Sequence, residues 1–164
     1  MTQQEYENKI KELQDELEKL KAAKIAESGK RWKPDKFEDY WLVDSGGGIS
    51  KTYNSENNTC DEYRCLIGNC FETQEEAEEY KKQIEYTARY KNYIEEHSEP
   101  IDWEDEDQDK YYAEYRHEDE DIYVDWYNTT NFQGTIYASS EQIIKDAIKE
   151  IGEDNFKKYV LGVK

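Results

Sequence analysis

Basic residues are what this chain most lacks: 22 lysines and arginines stand against 40 aspartates and glutamates, a net charge of -18 over 164 residues. A field of that sign repels phosphate backbones and anionic headgroups, which disfavours direct nucleic-acid binding and membrane-surface binding. Partners are expected to be neutral or basic. No apolar run approaches the roughly 20 residues that cross a bilayer, and the opening MTQQEYENKIKEL has no apolar segment of a secretory signal. A cytoplasmic location is expected. Cysteine is scarce as well. Cys60, Cys65 and Cys70 lie five apart without a CxxC pair, a pattern that fits neither a disulfide framework nor a zinc ribbon and points to a reducing compartment. His97 and His117 do not turn these into a metal site, so no metal is expected.

Catalytic signatures are missing too. There is no GxSxG nucleophile motif and no phosphate-cradling glycine loop; Gly46, Gly47 and Gly48 precede strand-like residues instead of a helix start and read as a turn. Asp105, Asp107 and Asp109 have the spacing that opens a calcium loop. The sixth and twelfth positions of that loop, which must be Gly and Glu, are Lys110 and Arg116, so an EF-hand is excluded. The chain is read as a non-enzyme with no cofactor.

What is present is aromatic: 15 Tyr and 4 Trp, more than a disordered chain of this charge accumulates. The expected fold class is α+β. Tyr6, Ile10, Leu13, Leu17 and Leu20 alternate steps of four and three, a heptad seam predicting a coiled-coil-like N-terminal helix over 1–28 that serves for homodimerisation or docks on the domain behind it. Around the glycine turn, YWLVDS and GISKTY predict a hairpin, followed by a short strand over 63–67. A helix then runs from an N-cap at Thr73, with Glu76 completing a capping box, to about Glu96, with Ala77, Tyr80, Ile84 and Ala88 on one face. KYYAEYR and DIYVDWY predict a second hairpin with HEDED at its turn. Setting Gly134 on Gly68 places Tyr137 on Phe71, Ser139 on Thr73 and Gln142 on Glu76, an offset of 66. The expected organisation is therefore two degenerate hairpin, strand and helix modules, over 32–96 and 110–164, joined by an acidic linker at 97–109.

The candidate site is the stretch DWEDEDQDKYYAEYRHEDED. Between Glu95 and Asp125 fifteen acidic side chains face only Lys110 and Arg116, interleaved with Trp103, Tyr111, Tyr112, Tyr115 and Tyr123, with Trp126 and Tyr127 just beyond. Charge runs are commonly solvated faces. Here they flank a strand pair. Carboxylates so placed can imitate a phosphate backbone for a basic protein, with aromatics as rigid anchors. Asp102, Glu104, Asp105, Glu106, Asp107 and Asp109 at one end, and Glu118, Asp119, Glu120 and Asp121 at the other, are expected to supply charge; Trp103, Tyr111 and Tyr115 are expected to anchor.

The runs RWKPDKFEDYW, IGNCFETQEEAEEY, DWEDEDQDKYYAEY and IYASSEQIIKDAIKEIGEDNFKKYVLGV, behind a leucine-repeat helix, resemble small acidic accessory proteins of phages and prophages of low-GC Gram-positive bacteria. The resemblance implies action inside the host bacterial cell. It also implies an anti-CRISPR or other anti-defence inhibitor, a DNA mimic occupying the nucleic-acid-binding surface of a CRISPR-associated nuclease. The alternatives are a structural or assembly phage protein acting through the coiled coil and, last, a sponge for a signalling nucleotide, for which only GKRWK offers a basic cradle.

Overall fold

Runs rich in tyrosine, valine and isoleucine on either side of short turns form two antiparallel hairpins, and the capped stretches behind them form helices. The computed structural model describes Lys9, residues 31–56 and residues 58–163. In chain order the elements are β1 (Asp39–Val43), β2 (Ile49–Tyr53), α1 (Thr59–Leu66), α2 (Gln74–His97), β3 (Lys110–Arg116), β4 (Asp121–Tyr127), α3 (Glu141–Ile151), the short α4 (Glu153–Asn155) and a π-helical turn, Phe156–Val160. The architecture is α+β with two two-stranded sheets, β1 with β2 and β3 with β4. The chain divides into two compact units. Among the described residues, one holds 31–42 and the stretch after Ser50 up to Glu72; the other holds Val43–Ser50 and 73–163. The heptad positions Tyr6, Ile10, Leu13, Leu17 and Leu20 lie outside the described residues.

The first unit has a small core of Tyr40, Leu42 and Cys70, with Trp32 and Cys65 against it. Alternation along β1 supplies it, since Tyr40 and Leu42 point to one side of the strand. Trp41 exchanges two backbone hydrogen bonds with Phe71, at 2.9 and 3.0 Å. The strand expected over 63–67 is instead the end of α1. Asn58 caps that helix by accepting the Cys60 N–H, Asp61 and Glu62 sit in the first turn, and the side chain drawn into the interior is Asp61. Tyr63, Leu66 and Ile67 stay exposed, so the apolar residues that suggested a strand have no face to bury. Cys65 and Cys70, expected as free thiols, form a disulfide, and Cys60 is free and exposed. The five-residue spacing is bridged because Gly68 and Asn69 turn the chain back after α1.

The second unit buries Tyr90, Ile94, Ala138, Ile144, Ala147, Ile151 and Phe156 together. α2 begins with the expected capping box: Thr73 Oγ1 accepts the Glu76 N–H at 3.2 Å and Glu76 returns to the Thr73 N–H at 3.3 Å. Its buried stripe differs from the expected one. Ala77 is buried, but Ile84 and Ala88 are exposed, and Tyr90 and Ile94 take the core positions because α3 and the π-helical turn pack on the C-terminal half. Tyr90 meets Phe156 edge-on at 4.9 Å and Tyr86 stacks on Tyr159 at 5.1 Å. Tyr111 exchanges backbone hydrogen bonds of 2.9 and 2.8 Å with Ala138. Two residues later Ser140, not Ser139, caps α3 and accepts the Ile143 N–H. Ser140 stands two residues after its bridge residue Ala138, as Thr73 stands two after Phe71, so the cap expected at Ser139 from the 66-residue offset is displaced by one. The third helical position is then Ile143, and Gln142 pairs with Asp146 instead of closing a capping box. Ser139 ties down the end of α2: its N–H donates to Ser98 Oγ at 2.8 Å and its Oγ accepts the Glu99 N–H at 3.0 Å.

The Tyr90 hydroxyl is buried with no hydrogen-bond partner among the described residues, and burial pushes its pKa well up. Leaving such a donor unmade costs free energy, so Tyr90→Phe is expected to keep or raise stability, by up to about 1 kcal/mol, in urea denaturation. Most aromatic substitutions in this core would lower it.

Candidate acidic interaction surface

Seven residues of β3 face seven of β4, from Lys110 opposite Tyr127 to Arg116 opposite Asp121, with residues 117–120 as the turn. Strand periodicity divides this ribbon into two faces. Tyr111, Ala113, Ile122 and Val124 stand on the face that packs against the core. The other face carries Lys110, Tyr112, Glu114 and Arg116 beside Asp121, Tyr123, Asp125 and Tyr127. Towards the turn, Arg116 Nε donates to Glu114 at 2.7 Å, its Nη2 donates to Asp125 at 3.4 Å, and its guanidinium lies 4.2 Å from the Tyr123 ring centre. One cation is thereby shared by two carboxylates and an aromatic face.

The segment leading into β3 is a tethered loop. The Asp102 N–H donates to Gln108 Oε1 at 2.7 Å and Gln108 Nε2 donates to the Pro100 carbonyl at 3.0 Å. Asp102 and Asp105 each turn the chain by accepting the N–H two residues on, at Glu104 and Asp107, both at 2.9 Å. Asn128 Nδ2 donates to the Glu106 carbonyl at 2.8 Å, fastening the loop to the end of β4. Beneath it lies Lys110, 0% exposed; its Nζ donates to the Asp105 carbonyl at 2.5 Å and sits 5.5 Å from the Trp103 ring centre. An ammonium out of water demands such partners. With Asp105 O and the Trp103 ring around it, the lysine acts as the loop's internal cation.

The predicted acidic residues are held on the surface by this frame. Asp102, Glu104, Asp105, Glu106 and Asp107 are exposed and Asp109 is half-buried, accepting the Tyr111 hydroxyl at 3.2 Å. Glu118, Asp119, Glu120 and Asp121 are exposed around the turn; Lys157 donates to the Glu120 carbonyl and pairs with Asp121 at 3.8 Å. The negative field is felt by neighbouring phenols. The Tyr112 pKa is pushed up to about 12, first by burial and then by Glu114 and Asp125. Tyr123 is raised chiefly by its hydrogen bond to Asp119.

The aromatic residues singled out from sequence are placed less freely. Trp103 is half-buried, edge-on to Tyr137 at 5.0 Å; Tyr111 packs on the core; Tyr115 is half-buried beside His117. The rings of this region that reach solvent are Trp126, 51% exposed, Tyr127, 38%, and Phe132, 41%; Trp126 lies on the opposite face of the ribbon from Tyr127. Tyr127 and Phe132 meet edge-on at 5.0 Å over Tyr112, which touches Tyr137 at 5.6 Å and through it Trp103. The alternation of β3 against β4 could have found Tyr112 and Tyr127. Phe132 carries no such signal, because its place is set by its N–H donating to the Tyr137 hydroxyl at 2.9 Å.

Among the described residues no helix is long and apolar enough to cross a membrane, and no three His, Cys, Asp or Glu side chains converge as metal ligands. The chain matches no protein-family model, no curated protein and no solved structure.

Proposed function

We propose that this protein is an acidic inhibitor that binds a basic protein on the surface which otherwise holds nucleic acid. The observation that carries the reading is the β3–β4 ribbon with an ordered carboxylate loop at one end and an acidic turn at the other. Seven paired residues at about 3.3 Å each make a ribbon of about 23 Å. Of the eleven carboxylates of 102–121, six stand in the loop at one end of that ribbon and four at the turn at the other, so two negative clusters are presented a fixed distance apart. A disordered acidic tail would have to order itself on binding. The bonds inside 100–110 remove that cost in advance. By resemblance the target is a CRISPR-associated nuclease in the host bacterial cell, and the inhibitor works without chemistry of its own.

The two-module organisation belongs to the same reading. In its favour, Trp41 with Phe71 and Tyr111 with Ala138 each pair a hairpin strand with a residue two before a helix cap. Assembly through the N-terminal seam is a second reading, favoured by the apolar Tyr63 and Leu66 of α1 and the Ile67 that caps it, all left exposed.

The test is binding to a CRISPR-associated nuclease from 50 to 300 mM salt, in competition with its DNA. Affinity is expected to fall at least about tenfold over that range, and to vanish when Asp102, Glu104, Asp105, Glu106, Asp107 and Asp109 are all changed to lysine. An affinity indifferent to salt, or one that survives the charge reversal, sinks the proposal.

A further inference from the structure

The proposed function leaves open which basic group the surface is shaped for, and the exposed pair Tyr127 and Phe132 bears on this. We infer that these two rings form a ledge for an arginine side chain of a basic partner segment, in preference to lysine. The inference rests on the acidic-surface reading and refines it.

Three observations point the same way. The ledge is apolar and borders acidic residues: Asp125 stands two before Tyr127 on the same face of β4, Asn128 holds the acidic loop by the Glu106 carbonyl, and the cation opposite Tyr127, Lys110, is buried and committed to the Asp105 carbonyl. Among the described residues, cations lie over other rings, including Trp103 and Tyr123, and none lies over Tyr127 or Phe132. The same face of the ribbon already carries the proposed arrangement in full. Arg116 stacks on Tyr123 while its nitrogens reach Glu114 and Asp125. At the other end, Tyr127 over Tyr112 and Phe132 repeats the aromatic part, and the acidic loop is tied to the neighbouring Asn128 through the Glu106 carbonyl, but among the described residues no guanidinium lies over these rings. A partner's arginine completes the set.

Arginine is favoured over lysine by the geometry of its head group. A planar guanidinium can lie on a ring and still direct its edge N–H groups at carboxylates, whereas a compact ammonium holds its hydration shell more tightly. The ring pair is also fixed in advance. Phe132 is pinned by the Tyr137 hydroxyl and Tyr127 is held on Tyr112, so little side-chain freedom is lost on binding.

Two synthetic peptides test this, one with four Arg-Gly repeats and one with four Lys-Gly repeats, titrated at low salt by calorimetry against the full chain. The arginine peptide is expected to bind about threefold to tenfold more tightly. Tyr127→Leu with Phe132→Leu retains apolar bulk, so the fold survives, and removes both rings; the preference should disappear while salt-sensitive binding at the lysine level remains. Equal affinities in the unaltered protein, or a preference that persists in the double variant, overturn the ledge. If neither peptide binds at low salt, the acidic-surface reading fails with it, and the two failures are thereby told apart.

Discussion

Asp61→Ala is expected to lower the stability of the protein by about 3–5 kcal/mol, among the largest effects available to a single substitution here. The carboxylate is 2% exposed and fully committed. Oδ1 accepts the Tyr40 hydroxyl at 2.7 Å and Arg64 Nη1 at 3.1 Å; Oδ2 accepts the Ser55 N–H at 3.1 Å and its hydroxyl at 2.9 Å. Alanine would leave four donors facing each other, with Tyr40 completely buried among them. Asparagine keeps the shape but turns one oxygen into a donor, so Asp61→Asn should cost less, about 1–3 kcal/mol. Urea denaturation of both variants checks the order. The charge also makes the contribution depend on pH. Burial disfavours the carboxylate, but the bonds from Tyr40 and Ser55 and the charge of Arg64 outweigh it and hold its pKa below the ordinary value. A group whose folded pKa is depressed contributes fully above its unfolded pKa and loses that contribution as pH falls through the folded one. The unaltered protein should therefore lose stability on acidification through that window more steeply than Asp61→Asn, which has no proton to take up.

This residue also shows where a sequence reading stops. Asp61 counts as one more surface acid by type, and its interior position follows from a tyrosine 21 residues away and a serine that turns toward it from the end of β2. The same non-local control explains the strand expected over 63–67. Local preference there is balanced, and the Asn58 cap with the buried Asp61 decides for helix. Ser139 and Ser140 are equivalent caps to a local pattern; the pairing of Ala138 with Tyr111 selects the second. By contrast the β3–β4 hairpin, the Thr73 capping box and the Asp44 to Gly48 turn were legible, because each is specified by residues within a few positions of one another. The acidic half of the candidate site was legible for the same reason, since charge is a property of residue type. Its aromatic half was not. Which rings surface depends on the register of β3 against β4 and on one hydrogen bond from the backbone of Phe132, neither of which composition encodes.

Lys110→Met is expected to loosen the acidic loop without unfolding the protein. Methionine can occupy the buried lysine's aliphatic path, so the packing against Trp103 survives while the ammonium goes. Two opposed consequences follow. The cost of keeping a cation at 0% exposure disappears, and for that reason the global urea midpoint should move by less than the equivalent of about 1 kcal/mol. The Asp105 carbonyl, however, loses its charged donor, a hydrogen bond of a class worth about 1.5–3 kcal/mol, and that loss falls on the loop alone. The amides of Glu104 and Asp107 report it directly, since both are bonded to loop carboxylates. Their hydrogen exchange should accelerate about tenfold to a hundredfold, a factor of ten for each 1.4 kcal/mol, while amides of β3 and β4 keep their protection. Unchanged exchange at those two amides would show that Gln108 and Asn128 hold the loop unaided. If the loop does loosen, affinity for a basic partner should fall although no surface charge has been altered, because carboxylates that must be ordered on binding spend part of their attraction on that ordering. Reversing the loop charges and removing Lys110 would then act by different routes, and binding at low salt separates them: the charge reversal abolishes it, whereas Lys110→Met lowers affinity and leaves its salt dependence in place.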